Sequence, residues 1–131
     1  MAEKIGFLQK FLGYELKSAE RYRRFVSLVM VSGHNGGDAS VKDALIEPLR
    51  TSDVMADING ASVIMMTETN SSGALSAIER YKAKTTQDED LRFAVVTYPS
   101  DGGGPDGLLA TAHRRLENAV SGPPGSVVMT G

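Results

Sequence analysis

Cysteine and tryptophan are absent from this chain, histidine occurs twice, and aromatic residues make up only 6%. Without cysteine there can be no disulfide, no thiolate metal site and no cysteine nucleophile, which fits a reducing compartment. The two histidines, His34 and His113, lie far apart in the sequence and have no paired ligands, so no metal centre and no cofactor are expected. An excess of basic charge is also missing. A net charge of −2 argues against generic nucleic-acid binding, which needs a cationic face to release counterions. No apolar run approaches the roughly 20 residues that span a bilayer. The N-terminal ten residues carry charges where a signal peptide needs an apolar core, so neither membrane insertion nor secretion is expected, and a cytoplasmic location is. What is present is ordinary for a globular protein: 131 residues, 41% hydrophobic and 23% charged, enough for one domain with one core.

Along the chain, Ile5, Leu8, Leu12, Leu16 and Ala19 recur at helical spacing, with lysine, glutamate and arginine forming the solvated face. The basic cluster Arg21-Tyr22-Arg23-Arg24 ends this helix, where cations suit the negative end of its dipole. Phe25 to Val31 is then a continuous β-favouring run, the pattern of a strand covered on both faces. Three glycines between Ser32 and Asp38 predict a loop. Lacking the Lys-Ser/Thr ending of a P-loop, this loop reads as a plain connection more readily than as a phosphate cradle. A helix is expected through Val41, Ala44, Leu45 and Leu49, kinked or shortened by Pro48.

Val54–Ile58 and Ala61–Thr67 read as a hairpin, because Asn59-Gly60 supplies the two positive-φ residues of a tight turn. Asn70 to Gly73 is a turn and cap opening a helix through Ala74, Ala77, Ile78 and Tyr81. Leu91 to Tyr98 reads as a strand. Pro99 to Gly107 is the loop richest in breakers, and Leu108, Leu109, Ala112, Leu116 and Ala119 mark another core-facing helix. Ser126 to Thr130 offers a short edge strand. Met30, Met55, Met65 and Met66 read as core filling. The order predicts an α+β fold: a ferredoxin-like or palm β-α-β-β-α-β core, with a mostly antiparallel sheet, helices packed on one face and an extra N-terminal helix. Residues 1–24 would lead into a single domain of residues 25–131.

Taken in order, these segments resemble a GGDEF (diguanylate cyclase) domain over nearly the whole chain. The similarity is carried by Glu20-Arg21-Tyr22 followed by Ser27-Leu28 opening an apolar strand. It continues through Gly33-His34-x-x-Gly37-Asp38, Phe93 to Pro99 with Asp101-Gly102, and Leu108-Leu109 with Ala112 to Ala119. His113 stands where the family often has Asp. The resemblance implies a bacterial cyclic di-GMP signalling context and a homodimer as a possible assembly.

It also implies a strand-end Asp and tip acids that hold divalent metal for phosphoryl transfer, which hard cations and phosphate charge require. Here the strand ends in Val31-Ser32-Gly33. The signature tip is Asn59, Gly60, Ala61, Ser62 and Val63, with no carboxylate. Arg50-Thr51-Ser52-Asp53, five residues before Asn59, resembles the family's inhibitory-site Arg-x-x-Asp, which implies cyclic di-GMP binding by Arg50 and Asp53. Arg is suited to this because its planar fork binds phosphate and guanine bidentately. The alternative for these two residues is local, with Asp53 capping the strand and Arg50 in solvent. Arg21, Arg23, Arg24 and Arg80 are available as further anion ligands.

The leading expectation is therefore no enzyme: a catalytically inactive GGDEF-like domain that acts through a protein partner and binds cyclic di-GMP at Arg50 and Asp53. Two alternatives stand beside it. One is a residual GTP-binding, cyclase-like enzyme; the other is a purely structural dimerisation domain.

Overall fold

In a computed structural model the described residues are 2–22, 24–32, 54–58, 61–84, 91–123 and 125–130. The elements, in chain order, are α1 (Ala2–Tyr22), β1 (Val26–Ser32), β2 (Val54–Ile58), β3 (Ala61–Thr67), α2 (Ser71–Lys84), β4 (Arg92–Tyr98), α3 (Pro105–Val120) and β5 (Val127–Val128). The expected loop 33–38 and the helix around Pro48 lie outside the described residues, as do Asn59 and Gly60. The two hairpin strands fall where the sequence predicts them.

The sheet order is β2-β3-β1-β4-β5. β3 pairs antiparallel with both β2 and β1, and β4 pairs antiparallel with β1, whereas the short β5 is parallel to β4. β1 and β2 therefore run parallel with β3 between them, and β3 and β4 run parallel with β1 between them. These two interleaved pairs of parallel strands, the second joined through α2, make the ferredoxin-like arrangement expected from the element order.

Each face of the sheet carries its own core, as strand alternation requires. Val26, Leu28 and Met30 face one side, where Leu12, Leu16 and Ala19 of α1 and Leu108, Ala112 and Leu116 of α3 cover them. Val29 and Val31 face the other side, against Ala74, Ala77, Ile78 and Tyr81 of α2. One-sided helix packing was the expectation for the β-α-β-β-α-β core, whose described helix α2 covers one face; α1 and α3, outside that core, cover the other, so the sheet is sandwiched. The reason is legible in β1, all seven residues of which are buried. A strand with no polar face needs cover on both sides. Met30, Met65 and Met66 fill these cores as predicted.

Two helix starts follow local chemistry. Asn70 caps α2, its Oδ1 accepting the Gly73 amide at 2.9 Å, so an otherwise orphaned first-turn donor is satisfied. α3 begins at Pro105, three residues before the predicted Leu108. Gly104 is its N-cap and Pro105 occupies the first turn, where a missing amide costs nothing and the fixed φ is already helical. Beyond β5, the outer edge of β4 is closed by side chains. Arg115 Nη1 donates to the Val95 carbonyl at 2.7 Å and Arg115 Nη2 to Asp101 Oδ1 at 3.1 Å. Asp101 Oδ2 in turn accepts the Thr97 amide at 2.9 Å. The clasp occupies edge groups that would otherwise invite another strand.

Candidate functional site

The register separates two ends of the sheet. Val31 pairs with Ser62, and Ser32 with Arg92, so the end of β1, the start of β4 and the inner end of the β2–β3 hairpin share one end. At the other, Val26 pairs with Thr67 and Tyr98. α1 ends there, four residues before Val26, and β2 begins on that side, Val54 pairing with Met65 and Met65 with Leu28.

At the hairpin end, the signature positions Ala61, Ser62 and Val63 belong to β3. Ser62 is 4% exposed and Val63 fully buried, packed in the core with Met30. Ser32 is 9% exposed and its cross-strand partner Arg92 is 6% exposed. Among the described residues, no group of three or more His, Asp or Glu residues could hold a metal ion. Among the described side chains at this end the donor set is hydroxyl and guanidinium. It does not fit the divalent metal that the resemblance implies, because hard cations take several oxygen ligands, with carboxylates prominent among them.

At the opposite end, α1 lies alongside β2 and carries a cleft of about 380 Å³ lined by Tyr14, Lys17, Ser18 and Arg21. Tyr14 is 77% exposed. A flat ring beside two cations and a hydroxyl can stack an aromatic base and hold phosphate. Arg50 and Asp53 lie outside the described residues, but Asp53 directly precedes Val54, where β2 begins. Of the other arginines, Arg24 is paired with Glu68 at the surface, and Arg23 is outside the described residues. Arg80 belongs to α2, on the other face of the sheet, and its Nη2 is buried without a hydrogen-bond partner. The register thus brings Arg21 and the entry to β2 to one end of the sheet and leaves Arg80 on the opposite face. A second, mainly apolar cleft of about 250 Å³ adjoins the first strand and is lined by Ala19, Glu20, Arg24, Phe25, Tyr98 and Pro99.

Sequence reasoning missed the Arg115–Asp101 clasp. Its signal was present, since Arg115 shares the helical face of Leu108, Ala112, Leu116 and Ala119, all buried. Burial alone would raise the Asp101 pKa. The hydrogen bond from Arg115, the Thr97 amide and the guanidinium charge outweigh it and hold the carboxyl below its ordinary value. His113 is exposed and pairs with Glu117 one helical turn away at 3.1 Å. His34 and the glycine loop lie outside the described residues.

No protein-family model matches the chain, and no curated protein is detectably similar in sequence. Solved structures are similar in fold. One is the isolated GGDEF domain of TpbB, also called YfiN, from Pseudomonas aeruginosa. It is 17% identical with a TM-score of 0.83, over 96% of this chain and 88% of that one. Another is the active GGEEF domain of a diguanylate cyclase from Vibrio cholerae, 12% identical with a TM-score of 0.75 over 93% of both chains. A third is the Pseudomonas aeruginosa diguanylate cyclase SiaD, solved in complex with its activator SiaC. It is 12% identical with a TM-score of 0.72, over 95% of this chain and 57% of that one. The fold is that of a GGDEF domain.

This overturns the expectation of no enzyme, because the scaffold is an enzyme fold whose solved examples include an active cyclase domain. The physical reason lies in what the missing acids describe. They report which ligands could reach a metal at one end of the sheet, and they leave the class of the scaffold untouched. No helix among the described residues is long and apolar enough to cross a membrane.

Proposed function

We propose that this diguanylate cyclase-like domain is a cyclic di-GMP receptor that passes the signal to a protein partner. Arg50 and Asp53 bind the dinucleotide, together with Lys17 and Arg21 of α1. The observation that carries this is that α1, which bears the cationic, tyrosine-lined cleft, packs alongside β2, the strand that begins one residue after Asp53. Two phosphates need two sources of positive charge, and Lys17 and Arg21 of α1 offer one in addition to Arg50. The volume of about 380 Å³ falls at the lower end of the range for small-ligand sites. Phe25, 46% exposed on the neighbouring apolar cleft, supports a protein contact, since aromatic residues in clefts are frequent interface anchors.

Calorimetric titration of wild type and Arg50→Ala with cyclic di-GMP tests the ligand half. Expected is micromolar binding that weakens at least tenfold in the variant. Equal binding in both proteins places the ligand elsewhere. For the partner half, a pull-down should lose its captured protein when Phe25 is replaced by serine, and unchanged capture removes that surface from the reading.

A further inference from the structure

The corner where α1 turns into β1 leaves an aromatic ring half uncovered. Phe25 is 46% exposed and shares an apolar cleft of about 250 Å³ with Ala19, Glu20, Arg24, Tyr98 and Pro99. That volume lies below the roughly 300–1,000 Å³ of small-ligand sites, so the cleft suits one large side chain better than a nucleotide. Its walls are set before anything enters. The Arg24 amide donates to the Ala19 carbonyl at 2.8 Å, closing the end of α1, and the Thr69 amide donates to the Phe25 carbonyl at 3.2 Å. Glu68, just after β3, has φ 54°, a left-handed conformation that a residue with a Cβ keeps only where its surroundings fix it. In that conformation its carboxylate pairs with Arg24. Walls built in advance spare a partner the cost of ordering them.

Charge decides which side chain fits. Among the described residues, the charged ones lining the cleft are Glu20 and Arg24. The charge of Arg24 is answered by Glu68, whereas Glu20 is exposed in the last turn of α1. Arg21, on the same turn, lines the other cleft. The negative pole of the α1 dipole lies at this corner too, so carboxylate and helix end both favour a cation. The rings and the proline favour one with a long apolar stem and a planar, weakly hydrated head, which is arginine rather than lysine.

We propose that this cleft receives an arginine side chain of the protein partner, its stem across Phe25 and Pro99 and its guanidinium against Glu20. The assignment deepens the reading of Phe25 as a partner contact, on which it rests, and it does not depend on the cyclic di-GMP site.

The test is an NMR titration of the nitrogen-15-labelled full chain with three acetylated, amidated pentapeptides, each holding arginine, leucine or glutamate between two glycine pairs. Expected with the arginine peptide are amide shifts at Glu20, Phe25, Tyr98 and Thr69 that saturate in the millimolar range. The leucine peptide should bind more weakly and the glutamate peptide not at all. Glu20→Gln should weaken the arginine peptide by about threefold, the worth of an exposed ion pair, and leave the leucine peptide unchanged. No shift at tens of millimolar, equal binding of the three peptides, or an arginine peptide indifferent to Glu20→Gln overturns the proposal. So do shifts at these residues that grow with protein concentration alone, which would put a second copy in the cleft. Failure here is distinguishable from failure of the partner reading. Capture that depends on Phe25, with peptides that bind alike, overturns the arginine assignment alone. Capture indifferent to Phe25, with no shift from any peptide, overturns both.

Discussion

Replacing Arg115 with methionine keeps most of the side chain's length and apolar stem but removes every hydrogen bond it makes. In the native domain Nη1 reaches the Val95 carbonyl and Nη2 reaches Asp101. The Arg115 side chain is 7% exposed and that of Asp101 23%, so neither group is strongly screened by water. After the change, the Val95 carbonyl has lost its donor beneath α3, and Asp101 keeps only the Thr97 amide. Removing one partner of a buried pair costs about 3–5 kcal/mol. The partial exposure of Asp101 puts the expectation at the lower end, about 3 kcal/mol, or roughly 10 °C in melting temperature for a domain of this size. Asp101→Asn still accepts from the Thr97 amide and should cost less, about 1–2 kcal/mol.

Urea unfolding followed by circular dichroism, run as a double-mutant cycle, reads the coupling directly. The pH dependence adds an independent check. The Asp101 carboxyl is held below its ordinary value of 3.8, so its contribution is complete above that pH and is lost as pH falls through the lower, folded-state value. The stability gap between wild type and Asp101→Asn should accordingly close in acid. A loss below about 1 kcal/mol for Arg115→Met, or a gap that widens in acid, refutes the clasp as an energetic element.

Two other substitutions probe local structure. Ser27→Ala removes a buried hydroxyl that donates to the Thr69 carbonyl at 2.7 Å and meets the Thr97 hydroxyl at 2.9 Å. It should cost about 1–2 kcal/mol, checked by thermal melting, and a neutral result would mean that water replaces the link at no cost. Asn70→Ala removes the α2 cap and should cost about 1 kcal/mol; faster amide exchange confined to the first turn of α2 would confirm the origin of the loss.

Much of this fold was readable because its signals are local. The hairpin strands and the unbroken apolar run of β1 reflect strand alternation and burial, which the sequence carries residue by residue. The capping Asn70 is equally local. The cover on both faces was legible too, in a first strand with no polar face, although which helices supply it was not. The start of α3 was misplaced because Pro105 was counted as a loop residue, although proline is at home in a first helical turn. Arg115 was hidden among apolar neighbours on a buried helical face, and its partner Asp101 is supplied by a loop. Such long-range pairing has no sequence period. For the functional site, the absent carboxylates were plain in the sequence, but their meaning was not. That Ser32 faces Arg92, and that α1 ends where β2 begins, are facts of register.

The most direct test of the central claim is an NMR titration of the nitrogen-15-labelled chain with cyclic di-GMP. Amide shifts are expected in the second half of α1, from Tyr14 to Arg21, and at Val54 and Met55 where β2 begins, with Ser32, Ala61, Ser62 and Arg92 undisturbed. Shifts confined to those four residues, or none at millimolar ligand, would contradict a product-binding site at the end of the sheet where β2 begins.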